Sequence, residues 1–164
     1  MRWEKIENDK MSSEDFEQFL NSSFATMEHL MDFGASIYCC YSYIWCKEFR
    51  KSFENVFKYS QDIVWDKTRI SFDRYNYHHQ TEPIMFGWKK GSAHKFYGET
   101  NLNNIWVSKR PTKSGIHPTE KPLDLIQNAI VNSSQKDELV IDLFSGSGST
   151  MITSLQLGRD FVMN

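Results

Sequence analysis

A near-continuous apolar run followed at once by a glycine-rich loop constrains this chain more than any other feature. Leu139 to Leu143 reads Leu-Val-Ile-Asp-Leu, the pattern of a central parallel strand that is covered on both faces. The loop Phe144-Ser-Gly-Ser-Gly-Ser-Thr150 follows, and the apolar residues after it predict a helix that continues to Gly158. A strand, a glycine loop and a helix in this order form half of a nucleotide-binding unit, so the sequence predicts an α/β fold.

The residues of the loop narrow the range of ligands that it can bind. Gly146 and Gly148 allow the backbone to turn sharply and to lie close to a bound molecule. No lysine follows them as in a phosphate-binding Walker A loop, and Met151 occupies the position of the third glycine of a dinucleotide fingerprint. The glycines alone would also fit a plain tight turn, but Asp142 at the strand end and the helix that follows favour a site for a ligand without a pyrophosphate.

The rest of the chain alternates between helical and extended patterns. Ser12 is the predicted N-cap of an amphipathic helix that ends before Gly34, and Pro122 opens another helix. Trp45, Phe49, Phe53 and Phe57 form the apolar stripe of a helix between them. Strands are predicted at 35–42, 62–65, 83–88 with Pro83 at the entry, 105–107 and 161–163. Residues 67–80 predict a loop, with packing beneath it as the favoured role of Phe72, Tyr75, Tyr77, His78 and His79.

Length and composition predict one domain over residues 1–164 with its own core. Cys39, Cys40 and Cys46 lack the spacing of a zinc site, so we expect no metal and a reducing compartment. The longest largely apolar stretch, 35–46, is shorter than the roughly 20 residues of a membrane span, and the first residues do not form a secretory signal. These features predict a cytoplasmic protein that does not enter a membrane.

Charge is unevenly distributed along a chain whose formal net charge is −2. Residues 89–121 contain seven basic side chains against Glu99 and Glu120. Such a stripe is either an ordinary solvated surface or a place where phosphates bind. The candidates for phosphate contact are Lys89, Lys90, Lys109, Arg110 and Lys113.

Four segments taken together resemble one enzyme family. His117-Pro-Thr-Glu-Lys-Pro122, followed some twenty residues later by Asp-x-Phe-x-Gly-x-Gly148, is similar to the cofactor-binding region of amino-group DNA methyltransferases. The order of the two segments is that of the β group, which contains N6-adenine and N4-cytosine enzymes. Residues 62–67, with their Trp-Asp-Lys ending, and residues 82–88, with Glu-Pro-Ile, resemble two further strands of that family.

The resemblance implies an incomplete Rossmann-like S-adenosylmethionine-dependent methyltransferase sheet with flanking helices. It implies a site-specific DNA methyltransferase that acts on adenine N6 or cytosine N4 of double-stranded DNA, with residues 89–116 as a short target-recognition segment. Because the target base must leave the duplex, stacking on that base is the alternative role of the aromatic residues at 72–79. The implied S-adenosylmethionine site contains Asp142, Phe144, Ser145, Gly146, Ser147, Gly148, Ser149 and Thr150, with Thr119 and Lys121 near the methionine end.

One family motif is absent from residues 1–164. The family holds the amine of the target base with an Asp-Pro-Pro-Tyr type loop, and this chain contains no Pro-Pro pair. We therefore expect no catalytic residue within the chain, a catalytic loop upstream of Met1, and a chain that is inactive alone and active with a complementing methyltransferase fragment. Gln80 and Thr81 also stand where relatives often have Arg and His. A non-catalytic module that binds DNA or a partner is the alternative, and a dehydrogenase has less support.

Overall fold

The computed structural model describes residues 11–72, 75–110 and 120–164. The helices are α1 (Ser13–Leu30), α2 (Cys46–Val56), α3 (Leu123–Ser133) and α4 (Ser149–Gln156), and a 3₁₀ turn at Tyr43–Trp45 precedes α2. The strands are β1 (Ser36–Cys40), β2 (Phe57–Ser71), β3 (His79–Lys89), β4 (Ile105–Val107), β5 (Leu139–Asp142) and β6 (Asp160–Met163). No helix within the described ranges is long and apolar enough to cross a membrane.

Two sheets make up the fold. The larger sheet has the order β1-β3-β2-β4, in which β3 is antiparallel to both β1 and β2 and β4 is parallel to β2. The smaller sheet contains β5 and β6, paired in parallel. The predicted α/β class with flanking helices is confirmed, and the structure adds that the larger sheet is mixed. The prediction of a fully covered central strand is wrong for β5, because it pairs only with β6 among the described residues and Leu139 is 55% exposed.

The long hairpin of β2 and β3 corrects several boundaries. Phe57 begins β2 instead of ending α2, and the predicted loop over residues 67–80 is strand at both of its ends. Register shifts interrupt the ladder after Tyr59 and after Asp66. Each shift breaks the alternation of apolar and polar residues by which a strand is recognised in a sequence.

Pro83 lies inside β3 and not at its entry. Its carbonyl accepts the Tyr41 N–H at 3.1 Å, just beyond the last β1 pair, Cys40 with Ile84. The N and C=O of one residue point to the same side of a strand, so the missing donor of Pro83 faces the end of β1 and not the ladder with β2.

The core lies on both faces of the β2–β3 hairpin. The N-terminal helix starts as predicted, with the Ser12 hydroxyl accepting the Asp15 N–H at 3.1 Å. One apolar cluster joins α1 and α2 to the sheet and contains Leu20, Phe24, Phe53, Phe57 and Met85. The other lies on the opposite face and contains Ile63, Trp65, Ile84, Phe86 and Leu125 of α3. Successive β3 residues thus point into different clusters, as the strand period requires.

Candidate cofactor-binding site

A groove of about 1270 Å³ runs between the two sheets. One wall is β1, and the other is β5 with the glycine loop that follows it. Among the residues predicted for cofactor binding, those that line this groove are Lys121, Asp142, Phe144, Ser145, Gly146, Ser147, Ser149 and Thr150. Gly148 is buried behind the lining, and Thr119 lies outside the described residues.

The glycine loop requires its glycines for their backbone conformation. Gly146 has φ +49° and Gly148 has φ +77°, a region that L-residues with a side chain rarely adopt. The Gly148 N–H donates to the Ser145 carbonyl at 2.8 Å, and α4 begins at the next residue. This turn places the first residues of α4, Ser149 and Thr150, in the groove lining.

Asp142 fixes the loop at both ends. One carboxylate oxygen, Oδ1, accepts the Phe144 N–H at 2.9 Å, and Oδ2 accepts the Thr150 hydroxyl at 2.6 Å. The side chain therefore joins the end of β5 to the first turn of α4. Asp142 also lines the groove, and its contacts with the loop give a structural reason for an acidic residue at the strand end, while its contact with a cofactor stays a prediction.

Lys121 is held by groups that the sequence analysis did not assign to the site. Its ammonium group bonds to Oε1 of Glu82 and lies 5.1 Å from the centre of the Trp65 ring. The Lys67 ammonium is 3.6 Å from Oε2 of the same carboxylate. Both Glu82 and Lys67 line the groove. The Trp-Asp-Lys and Glu-Pro segments predicted strands β2 and β3. Their spacing in the sequence does not reveal that the side chains of Lys67 and Glu82 meet.

Three charged groups surround the end of β1. Burial raises the pKa of the Cys40 thiol to about 11, with the carboxylates of Glu82 and Asp142 adding to the rise and Lys121 opposing it. A thiol with such a pKa stays protonated near neutral pH and is a poor nucleophile. Cys40 therefore forms part of the groove wall and is not a reactive group.

Aromatic side chains line the groove at the turn end of the β2–β3 hairpin. The Tyr43 and His79 rings stack with their centroids 5.4 Å apart, and Tyr75 meets His79 edge-on at 5.7 Å. Packing was the predicted role of all the aromatic residues of this segment, and it is wrong for Phe72 and Tyr77, which are 85% and 90% exposed. Neither ring belongs to the two apolar clusters that the described residues form.

Two of the basic residues predicted to contact phosphates have helix-capping contacts. The Lys89 ammonium donates to the carbonyls of Glu28 and Met31 at the end of α1, at 3.0 and 2.9 Å. Lys90 donates to the carbonyls of Glu54 and Asn55 at the end of α2, at 2.7 and 3.0 Å. Cations at helix C-termini are stabilising in themselves.

The other basic candidates lie after β4. Lys109 and Arg110 are exposed, and Lys113 lies outside the described residues. No contact in the structure tests whether any of the five binds DNA, and this role stays a prediction, as does the target-recognition role of residues 89–116.

Comparison with known sequences gives a family and two bacterial relatives. The model of the N6/N4 DNA methylase family matches residues 2–163. The type II methyltransferase M2.MboI of Moraxella bovis is 32% identical over 124 residues, which are 66% of this chain and 45% of the relative. M2.LlaDCHI of Lactococcus lactis subsp. cremoris is 31% identical over 123 residues, 65% of this chain and 45% of the relative. The chain thus spans about 45% of the length of these curated relatives.

Solved structures share the fold. The M1.HpyAVI–S-adenosylmethionine complex superposes with a TM-score of 0.74 at 22% identity, over 92% of this chain and 86% of that one. PvuII DNA methyltransferase, described as cytosine-N4-specific, gives a TM-score of 0.80 at 14% identity, over 99% and 70%. A putative DNA modification methylase of Thermus thermophilus, complexed with S-adenosyl-L-methionine, gives 0.67 at 18% identity, over 92% and 71%. Two of these three structures contain the cofactor that the sequence predicted.

Proposed function

The chain belongs to the N6/N4 family of DNA methylases, and from this premise we propose that it forms the cofactor-binding part of an enzyme that methylates an amino group of adenine or cytosine at specific sites in DNA. Members of the family are S-adenosylmethionine-dependent DNA methyltransferases. The observation that carries the proposal is the groove itself, in which the glycine loop, Asp142 and Lys121 line a single space.

The residues of the groove fit S-adenosylmethionine. The left-handed turn at Gly148 brings the start of α4 to the groove without a lysine for phosphates, which suits a nucleoside that carries no phosphate. Phe144 is 60% exposed beside the turn and offers an aromatic ring to an adenine. Lys121 supplies a positive charge for a carboxylate.

We expect the chain's own residues to bind S-adenosylmethionine and to fix its orientation. When bound, S-adenosylmethionine supplies a methyl group made electrophilic by its positively charged sulfur. Asp142 holds the loop at Phe144 and Thr150, so the groove is shaped before a ligand enters. Such positioning can account for about 7–11 kcal/mol of a barrier, provided that the amine of the target base is held equally well.

The groove has room for more than the cofactor. Its volume of about 1270 Å³ exceeds the roughly 300–1,000 Å³ of most small-molecule pockets. The edges of β1 and β5 that face it carry no strand partner among the described residues. Unpaired edges of this kind accept an added strand. We propose that a segment bearing the Asp-Pro-Pro-Tyr type loop, which residues 1–164 do not contain, occupies the groove between these edges as the complementing partner.

Calorimetric titration tests the cofactor. We expect the chain to bind S-adenosylmethionine or S-adenosylhomocysteine and to bind NAD and ATP at least tenfold more weakly, because the loop has neither the phosphate lysine nor the third glycine. Preferential binding of NAD would support a dehydrogenase, and ATP binding of equal strength would contradict the proposed ligand.

Transfer of labelled methyl groups to duplex DNA tests the catalytic part. We expect no transfer by residues 1–164 alone and measurable N6-methyladenine or N4-methylcytosine when a polypeptide with the Asp-Pro-Pro-Tyr type loop is added. Turnover by the chain alone would show that another loop holds the target amine. If cofactor binds but no such segment restores transfer, the non-catalytic module is the better description.

DNA binding is tested by salt dependence and by charge reversal. We expect weak, sequence-independent affinity that falls roughly tenfold or more between 50 and 200 mM salt, because contacts with phosphates release counterions. Replacing Lys109 and Arg110 with Glu should weaken it. Lys47→Glu with Lys58→Glu is the matched control, since these exposed lysines lie outside the stripe. Equal losses in the two double variants would show that only net charge matters.

The cytoplasmic location of the protein stays a prediction.

A further inference from the structure

Two lysines share one carboxylate at the wall of the groove. Lys67 on β2 and Lys121 ahead of α3 both form ion pairs with Glu82 on β3, one with each of its oxygens. Both ammonium groups lie near the Trp65 ring, with Lys67 at 5.8 Å and Lys121 at 5.1 Å from its centre. We call Lys67, Glu82 and Lys121 the dilysine cluster.

The dilysine cluster holds two ammonium groups and one carboxylate in a sheltered place. The Lys67 residue is only 9% exposed, and the side chains of Lys121 and Glu82 are 24% and 29% exposed. Among the described residues, no second carboxylate is paired with either lysine. Charges with little access to water are normally paired, so the cluster is prepared to accept one more anionic group.

A strained bulge in β2 fixes the backbone next to Lys67. Thr68 has φ +61°, an unusual conformation for a β-branched residue, and the β2–β3 register shifts after Asp66. The Asp66 carboxylate accepts the Thr68 N–H and the Gln80 amide, each at 2.8 Å, and so holds the strained turn. Strain of this kind persists where the surrounding structure needs a particular side-chain direction, and the side chain between these two residues is Lys67.

The cluster and the glycine loop face one groove. Lys67, Glu82 and Lys121 line it together with Asp142 and Thr150. S-adenosylmethionine has a positive sulfonium, a positive α-ammonium and only one anionic group, its α-carboxylate. A DNA backbone phosphate is a worse match, because a side chain as enclosed as Lys67 is poorly placed to reach the outside of a duplex.

We propose that Lys67 binds the α-carboxylate of S-adenosylmethionine beside Lys121, with Glu82 as the positioning residue that holds both ammonium groups. This inference rests on the proposed function. It adds a ligand-contacting residue that the family resemblance did not supply, and it assigns a reason for the strained turn at Thr68.

The first test compares two ligands that differ by this carboxylate. Calorimetry on the 164-residue chain should give at least tenfold tighter binding of S-adenosylmethionine than of decarboxylated S-adenosylmethionine, which retains both positive charges. Lys67→Met should weaken S-adenosylmethionine about 10- to 100-fold, the loss expected for a charge-assisted hydrogen bond. Its affinity for the decarboxylated ligand should be unchanged or higher, because one repelling charge is gone.

A lysine in an ion pair outside the groove provides the matched control. The Lys51 ammonium group lies 2.6 Å from Oε1 of Glu17, and neither residue lines the groove. Lys51→Met should leave both affinities within about threefold of the wild type. Circular dichroism before titration shows whether each variant is folded.

The outcomes separate this inference from the proposed function. If the wild type binds the two ligands equally well, or if Lys67→Met weakens both to the same extent, Lys67 does not recognise the carboxylate and the inference is wrong. The wild-type comparison alone does not separate Lys67 from Lys121, so Lys67→Gln, which keeps an uncharged polar side chain at this position, provides the same test if Lys67→Met fails to fold. If the wild type binds neither ligand, the proposed cofactor site itself is wrong, and the role of Lys67 is lost with it.

Discussion

The two sheets of this protein differ in how they are stabilised. The larger sheet packs aromatic and branched side chains on both faces, and Phe53, Phe57 and Trp65 are at most 2% exposed. In the described residues from Leu139 onward, which contain the smaller sheet, no apolar side chain is fully buried. The buried side chains there are the small polar ones of Ser149, Thr153 and Ser154.

This difference places the candidate site on the less stable part of the molecule. Thr153 and Ser154 satisfy their hydroxyls by donating to carbonyls one turn earlier in α4, each at 2.8 Å, and so add little apolar surface. Segments with few buried apolar contacts open at lower free energy than the core of the same domain. Ligand binding should therefore stabilise the β5–β6 part more than the hairpin, since only the folded loop binds.

The largest expected effect is on stability and compares one side chain of α2, packed on the larger sheet, with one side chain of the smaller sheet. Phe53→Ala should lower the free energy of unfolding by about 3–5 kcal/mol, because Phe53 is fully buried and packs on Phe24 and Phe57 at ring distances of 5.6 and 5.1 Å. Leu139→Ala, at a 55% exposed residue of β5, should cost less than about 1 kcal/mol. Urea unfolding measures both. Equal losses would mean that the two sheets share one core.

The next prediction separates backbone strain from ligand binding within the smaller sheet. Gly148 has φ +77° and Gly158 has φ +69°, so alanine at either position should cost about 1–2 kcal/mol of stability. Only Gly148→Ala should weaken S-adenosylhomocysteine binding, by about tenfold or more, because a relaxed turn moves the start of α4 away from the groove. An added methyl group itself has room there, since its nearest neighbour would be Met151 Cε at 3.7 Å.

Gly158→Ala is the control for that experiment. The three heavy atoms nearest to its added carbon belong to the flexible Lys136 side chain, the closest at 3.3 Å, at the far end of α4. Calorimetry should give affinity within about threefold of the wild type, after correction for any unfolded fraction. A similar loss of affinity in both variants would show that stability of the smaller sheet, and not the shape of the loop, controls binding.

Hydrogen exchange compares the sheets without a mutation. Amides of β5 should exchange faster than those of β3, which is paired on both sides by β1 and β2. Saturating S-adenosylhomocysteine should slow exchange most from β5 to α4 and least in the β2–β3 hairpin. Peptide-level mass spectrometry resolves these segments. Uniform protection throughout the chain would contradict the expected difference between the two sheets.

Local sequence patterns predict the β5–loop–α4 unit better than they predict the β2–β3 hairpin. The signals for the β5–loop–α4 unit lie in consecutive residues, and the Ser12 cap marks the start of α1. Both elements were therefore predicted within a few residues of their observed bounds. The full length of β2 was missed, because the register shifts after Tyr59 and Asp66 hide its alternation.

The residues of the candidate site also differ in how well the sequence predicts them. The glycine loop and Asp142 are local and were predicted, and they line the groove. The meeting of Lys67 and Lys121 on Glu82 depends on strand register and on the approach of α3 to the sheet, neither of which local patterns specify.

The smallest expected effect concerns the bulge that fixes the backbone around Lys67. Hydrogen bonds from Gln80 and from the Thr68 N–H lower the pKa of Asp66 from its usual 3.8. A carboxyl group whose pKa is lower in the folded state contributes stability that is complete above its unfolded pKa and is lost as pH falls through the folded value. Gln80→Ala should therefore flatten the decline of the unfolding free energy between about pH 5 and pH 3 slightly. Gln61→Ala, at an exposed glutamine of β2 outside this contact, is the control and should leave the slope unchanged. A slope that is the same in Gln80→Ala as in the wild type would show that the Thr68 N–H alone holds the Asp66 carboxylate.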